Sequence, residues 1–224
     1  MPAVKMEKVI KNYRVGRVEV PALRGVSISI EEGDFASIAG PSGSGKTTML
    51  NLFGCLDKPT EGRVYIGEQN VARLSSNKLA DVRNHNLGFV FQTFNLIPVL
   101  TAFENVEFPL ILLKKGKPRE RKESIMNILT QVGIGELANR KPMEMSGGQQ
   151  QRVAIARALV KGPKVVLADE PTANLDSVTG ESILKLMLEM NQRTKTTFIF
   201  STHDPMVMSY ARRLIKVHDG QIQS

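Results

Sequence analysis

Residues 40–48 read GPSGSGKTT, directly after the apolar run FASIAG and directly before TMLNLFGCL, a stretch of helical character. The pattern G-x-x-x-x-G-K-[ST] in a strand-loop-helix setting is a loop whose glycines let the backbone turn tightly and aim its N–H groups inward at phosphate oxygens. In such a loop Lys46 can reach β and γ phosphates, and the Thr47 hydroxyl can sit on Mg²⁺. Gly40, Pro41, Ser42, Gly43, Ser44, Gly45, Lys46, Thr47 and Thr48 are therefore candidate nucleotide-binding residues. A chain carrying this loop is committed to a sheet whose strands feed helices.

The surrounding pattern supports that architecture. Residues before 40 look β-rich: VSISI alternates and EEGD marks a turn. Residues 62–92 are mixed and end in the apolar strand LGFVFQ. From 93 to 145 the pattern turns helical, with RKESIMNILTQVGI the clearest amphipathic stretch. Two buried-strand patterns follow, KVVLADE and TTFIFSTHD, with a helix expected between them at 177–193. Asp219-Gly220 is a hairpin signal near the C-terminal end. Strands alternating with helices, with polar residues at strand ends, argue for a mostly parallel α/β core. The expected fold is α/β: a phosphate-loop core with a mostly parallel sheet, an N-terminal antiparallel β subdomain, and an inserted helical subdomain. The whole of 1–224 is read as one domain, with residues 1–92 and 146–224 forming the core and residues 93–145 the insertion.

Strand ends supply the remaining candidates. VVLADE delivers Asp169 towards a metal and leaves Glu170 free to polarise a water towards the γ-phosphate. Gln92 ends LGFVFQ and His203 follows FIFST, so both fall on the same sheet edge as Glu170. Glutamine can reach Mg²⁺ or the water, and histidine can hydrogen-bond a γ-phosphate oxygen. MSGGQQQRVAIARALV, residues 145–160, leaves two readings open. Ser146 is an ordinary helix cap, or the helix start, with its unpaired backbone N–H groups and positive dipole end, is offered to an anion.

Charge and hydropathy narrow the partners. The net charge of +8 would suit nucleic acid or an anionic surface. The basic residues are spread out, however, and only KKGKPRERK at 114–122 concentrates them, as a solvated face would. The longest apolar candidate, FNLIPVLTAFENVEFPLILL, is interrupted by Glu104, Glu107 and two prolines and does not read as a membrane span. The opening residues lack the apolar run of a signal peptide. Single Cys55 excludes an internal disulfide framework and suits a reducing compartment. A cytoplasmic protein is expected.

GPSGSGKTT, Gln92, MSGGQQQ, VVLADE, ANLD and STHD occur in the order found in the nucleotide-binding domains of ABC transporters, and the resemblance covers nearly the whole chain. It implies an ATP hydrolase using ATP and Mg²⁺, with Glu170, His203 and Lys46 catalytic and with Thr47, Gln92 and Asp169 around the metal. It also implies a head-to-tail pair of subunits, most simply a homodimer, with ATP at the interface. There Ser146, Gly147, Gly148 and Gln149 would bind the γ-phosphate held by the facing subunit, Asp176 would couple the two sites, and Tyr13 would stack on adenine. Met145 stands where leucine is usual, a volume-conserving change, and Ala173 stands where close relatives often carry glycine.

Further segments, GCLDKPTEG, GFVFQTFNLIP, ENVEFPL, the triple glutamine and HDP, are similar to the branch serving lipoprotein release and macrolide-type efflux. That resemblance implies separate membrane permease subunits docking near 93–145, and a peripheral location on the inner face of the cell membrane. A non-transporting regulatory ATPase of the cell-division type would carry an identical site. The DNA-repair and chromosome ATPases typically carry coiled coils or zinc modules; neither heptads nor metal-spaced cysteines exist here, so no nucleic-acid partner is expected.

Overall fold

The structure, a computed structural model, describes residues 1–16 and 18–223. Ten strands and seven α-helices follow one another along these residues. The first unit is a four-stranded antiparallel sheet in the order β2-β1-β4-β5, built from β1 (Pro2–Val15), β2 (Val18–Glu31), β4 (Glu61–Ile66) and β5 (Gln69–Asn70). The second has six strands in the order β10-β9-β3-β8-β7-β6. These are β3 (Phe35–Ala39), β6 (Leu87–Val90), β7 (Val165–Asp169), β8 (Thr197–Thr202), β9 (Arg213–His218) and β10 (Gln221–Gln223). All neighbouring pairs in it are parallel except β9 with β10. The expected α/β class, with one antiparallel and one mostly parallel sheet, is therefore present.

Composition explains why the parallel strands lie inside. FASIA and TFIFST are buried at every position, as strands covered on both faces require. Successive residues then serve opposite faces. Phe198 and Phe200 pack with Val166 and Ala168 on one side, whereas Ile199, Val165 and Leu167 face the other. The first side is closed by α3 (Ala102–Leu112), α4 (Pro118–Gln131), α5 (Gly147–Leu159) and α6 (Ser177–Thr194). The second is closed by α1 (Lys46–Phe53), α2 (Ser76–Asn86) and the antiparallel sheet. A short α7 (Pro205–Tyr210) follows β8.

Turn chemistry sets the borders. Asp219 and Gly220 both have positive φ, 46° and 74°, and join β9 to β10 in the two-residue hairpin that the sequence signals. Strand β6 stops at Val90, so Gln92 lies in the turn beyond the strand and does not end it. Proline 109 sits inside α3 without ending it. Among the described residues no helix is long and apolar enough to cross a membrane.

The approach to α3 depends on one buried amide. Asn105 is 1% exposed; its Oδ1 accepts from the Ile97 N–H at 2.8 Å, and its Nδ2 donates to the carbonyls of Ile97, Leu100 and Thr101. Asn105→Ala would leave a buried N–H and several carbonyls without partners, and is expected to cost about 2–3 kcal/mol, read as a lower denaturation midpoint at unchanged m-value.

Candidate functional site

Parallel strands place their C-terminal ends on one edge, and four of those ends converge. The loop after β3, the turn after β6 and the residues after β7 and β8 border a cleft of about 510 Å³. Pro41, Ser42, Gly43, Gly45, Lys46, Thr47, Thr48, Gln92, Glu170 and His203 line it, together with Ala22 from β2.

The loop is held too tightly for side chains at its two hinge points. A Cβ on Gly40 would lie 2.1 Å from the Val217 carbonyl oxygen; one on Gly45, where φ is 104°, would lie 2.7 Å from that of Ala22. Gly45 is also the N-cap of α1, and it supplies no side-chain acceptor. Helices α2, α3, α5, α6 and α7 all have side-chain caps. The first N–H groups of α1 are thus left for an anion, where the helix dipole favours one.

Lys46 is 8% exposed. Its Nζ donates to the carbonyls of Gly40 at 2.8 Å and Pro41 at 2.9 Å, neutral partners that leave the ammonium charge uncompensated. The Ser44 Oγ is buried with no hydrogen-bond partner among the described residues. A positive, donor-lined cradle with an orphaned hydroxyl fits a phosphate chain.

Opposite the loop, Glu170 has φ 46°, a conformation that costs a non-glycine residue roughly 1–3 kcal/mol and persists where its neighbours enforce it. Its N–H donates to the Ser201 carbonyl at 2.9 Å. Its Oε2 accepts from the Thr202 hydroxyl at 3.0 Å, and its Oε1 lies 2.6 Å from His203 Nδ1. A carboxylate accepts, so Nδ1 carries the proton and Nε2 is left for another partner. A carboxylate aimed this way can take a proton from a water in the cleft.

Asp169 is half-buried, and burial pushes its carboxyl above the usual range; the charge of Glu170 adds to this, while the Lys46 charge counters it. Tyr13, on β1, does not line the cleft: Lys11 Nζ lies 4.8 Å from its ring centroid. Burial raises the Tyr13 pKa, the nearby Asp57 carboxylate adds to the shift and the Thr48 hydroxyl opposes it. Ser146–Gln149 and Asp176 are not brought to the cleft. They sit together elsewhere: a Cβ on Gly147 would meet Leu175 at 3.3 Å, one on Gly148 would meet Thr179 at 2.5 Å, and Asp176 caps α6 by accepting from the Thr179 N–H at 2.9 Å.

Four contributors are not singled out by the sequence. Ala22 comes from a strand distant in sequence, and no local pattern marks it. Thr202 and Ser201, which hold Glu170, lie within STHD beside His203, where a polar pair ending a buried strand was the available signal. Asn174 donates to the Gln92 carbonyl at 3.0 Å and lies within ANLD.

Fold and cleft together define a nucleotide-binding protein of the phosphate-loop α/β class. Residues 23–173 match the family model described as ABC transporter. The chain is 48% identical to an ABC transporter ATP-binding protein of Methanocaldococcus jannaschii, MJ0796, over 98% of this chain and 95% of that one. It superposes on the dimeric structure of the MJ0796 cassette in a post-hydrolysis state bound to ADP and Pi with a TM-score of 0.90, covering 99% of this chain and 97% of that one. It is 43% identical to the lipoprotein-releasing system ATP-binding protein LolD of Anaeromyxobacter dehalogenans, over 99% of this chain and 92% of that one. It is also 45% identical to the macrolide export ATP-binding/permease protein MacB of Syntrophobacter fumaroxidans, over all of this chain but only 31% of that one. The chain belongs to the ABC transporter family, as an ATP-binding subunit that hydrolyses ATP.

Asp169 yields a test on the nucleotide-free protein. Because its folded pKa lies above its unfolded one, the folded state holds the proton more tightly. The penalty is absent below the unfolded pKa and complete above the folded one, so stability falls as pH rises through that window. Asp169→Asn is expected to raise the thermal midpoint near neutral pH and to flatten this fall, checked by thermal melts across acidic pH.

Proposed function

We propose that this chain powers a separate membrane permease in lipoprotein release or macrolide-type export, working as a head-to-tail homodimer with ATP at the interface. The observation that carries the catalytic part is the Glu170 carboxylate, held by Thr202 and His203 across the cleft from Lys46. In this reading Lys46 exchanges its carbonyl contacts for β- and γ-phosphate oxygens. Glu170 takes the proton of the attacking water as the bond from the γ-phosphorus to the bridging oxygen breaks. His203, through Nε2, steadies a γ-phosphate oxygen. Charge developing on the phosphoryl oxygens meets fixed N–H groups of the loop and of α1.

Thr47, Gln92 and Asp169 would hold Mg²⁺. The Thr47 hydroxyl and Gln92 border the cleft and Asp169 has no ion-pair partner among the described residues, a sparse oxygen set that fits an ion shared with substrate phosphates. When bound, the ion neutralises phosphate charge.

The second subunit would bring Ser146, Gly147, Gly148 and Gln149 to the γ-phosphate, with Asp176 beside them and Tyr13 on the adenine. We read residues 1–92 and 146–224 as the nucleotide-binding core and 93–145 as the helical subdomain where the permease docks, at the inner face of the membrane. Exposed apolar side chains support that surface: Val99, Phe108, Ile111 and Leu112 all stand at least 41% open to solvent. Relatives named for lipoprotein release and macrolide export favour this branch over a cell-division role.

Glu170→Gln is expected to bind ATP, to hydrolyse it about a thousandfold or more slowly, and to form an ATP-dependent dimer detectable by light scattering. Turnover at the wild-type rate would remove Glu170 as the base. Lys46→Ala is expected to lose ATP binding in a fluorescent-nucleotide titration, and retained affinity would overturn the cradle.

A further inference from the structure

Beyond Gln92 the backbone takes an unusual course. Phe94 and Asn95, neither of them glycine, are consecutive left-handed residues with φ 60° and 50°. Such conformations persist only where the surroundings enforce them. Local bonds hold part of the turn, with the Phe94 N–H donating to the Phe91 carbonyl, the Asn95 N–H to the Thr93 carbonyl and the Thr93 hydroxyl to Asn95 Oδ1. The hold from outside the segment is Arg157, near the C-terminal end of α5. Its Nη2 donates to the Phe94 carbonyl at 2.8 Å and its Nη1 to the Asn95 carbonyl. Arg157 is half-buried, and among the described residues no carboxylate pairs with it. Burial accordingly lowers its pKa. A partly desolvated guanidinium without a counter-ion is costly, so what it retains is its fork of donors, which fits two adjacent carbonyls as an ammonium cannot.

The other end of α5 meets the same segment. The Phe94 ring lies 3.7 Å from where a Gly147 Cβ would stand, and Asn174, which donates to the Gln92 carbonyl, borders Gly147 as well. One rigid helix therefore grips Phe94 at its ring near the Ser146–Gln149 turn and at its carbonyl through Arg157.

We propose that Arg157 is a positioning residue that sets where Gln92 stands in the phosphate cleft and ties that position, through α5, to the Ser146–Gln149 turn. The inference rests on the proposed dimeric ATPase, in which both ends of α5 serve phosphate sites.

Two measurements separate it from that reading. In the single chain, which has no tryptophan, Phe94→Trp supplies a fluorophore on the segment. Adding Arg157→Met or Arg157→Lys is expected to shift its emission to the red as the ring leaves Gly147, while the ATP affinity measured without Mg²⁺ stays within about twofold, since the phosphate loop is untouched and only the Gln92 side of the cleft moves. Unchanged emission, or a Mg²⁺-free ATP affinity that falls along with it, would overturn the proposal. In the dimer, Glu170→Gln is compared with Glu170→Gln/Arg157→Met and Glu170→Gln/Arg157→Lys. The double variants are expected to bind ATP but to dimerise about tenfold more weakly, within the ordinary range of coupling between sites. Equal dimerisation would sink the link through α5. Failure of Glu170→Gln itself to dimerise would count against the proposed function, and the emission measurement would still decide the role of Arg157.

Discussion

Everything at the active edge depends on the passage from β3 into α1. The chain leaves the most enclosed part of the sheet, reverses within a few residues and starts a helix whose first N–H groups face the cleft. That passage has almost no spare volume: the Val217 carbonyl closes on Gly40, and the Ala22 carbonyl closes on Gly45. The C-terminal hairpin completes the clamp, because the Gly220 N–H donates to the Ser44 carbonyl at 3.0 Å and the Gly220 carbonyl accepts from the Arg24 N–H at 2.9 Å. Both sheets and the C-terminal hairpin therefore grip the loop, and the positive cradle is rigid before any nucleotide arrives. Preorganisation of this kind is what lets fixed dipoles act on a transferring phosphoryl group.

The acidic side of the cleft is built on a different principle. Glu170 stands where a strand has ended and its backbone is left-handed, so its direction is set by neighbours on β8: the Ser201 carbonyl, the Thr202 hydroxyl and the His203 ring. Parallel pairing of β7 with β8, in the register Asp169 with Ser201, makes those contacts available. Shifting the pairing by one residue would turn the polar side chains to opposite faces.

Much of this was legible in the sequence because the signals were local. GPSGSGKTT between a strand and a helix, the buried runs VVLAD and TFIFST, and the Asp219-Gly220 turn each specify their geometry within a few residues. What escaped depends on contacts between segments far apart. Ala22 lines the cleft only because the antiparallel sheet packs over the phosphate loop, and Tyr13, on the neighbouring strand, stays outside the lining. The border of β6 falls two residues before the end of LGFVFQ, because that pattern stays apolar through Phe91 while the pairing with β7 ends at Val90. The hold of Arg157 on Phe94 and Asn95 lies beyond any periodicity argument: nothing local distinguishes that arginine from a surface one.

The turn before α5 carries the helix cap that one of the two readings of its motif expects. Ser146 Oγ accepts from the Gln149 N–H at 3.3 Å while Gln149 Oε1 accepts from the Ser146 N–H at 2.9 Å, a reciprocal cap. The cap engages only Gln149 and Ser146. The N–H groups of Gly147 and Gly148 have no acceptor within the chain among the described residues. Capping fixes their direction, and glycine keeps the approach free of side chains, so the helix start is both satisfied enough to fold alone and open enough to meet an anion from outside. The nearest phosphate cleft in the same chain does not include these residues. In the proposed dimer these N–H groups would meet the phosphate held by the facing subunit.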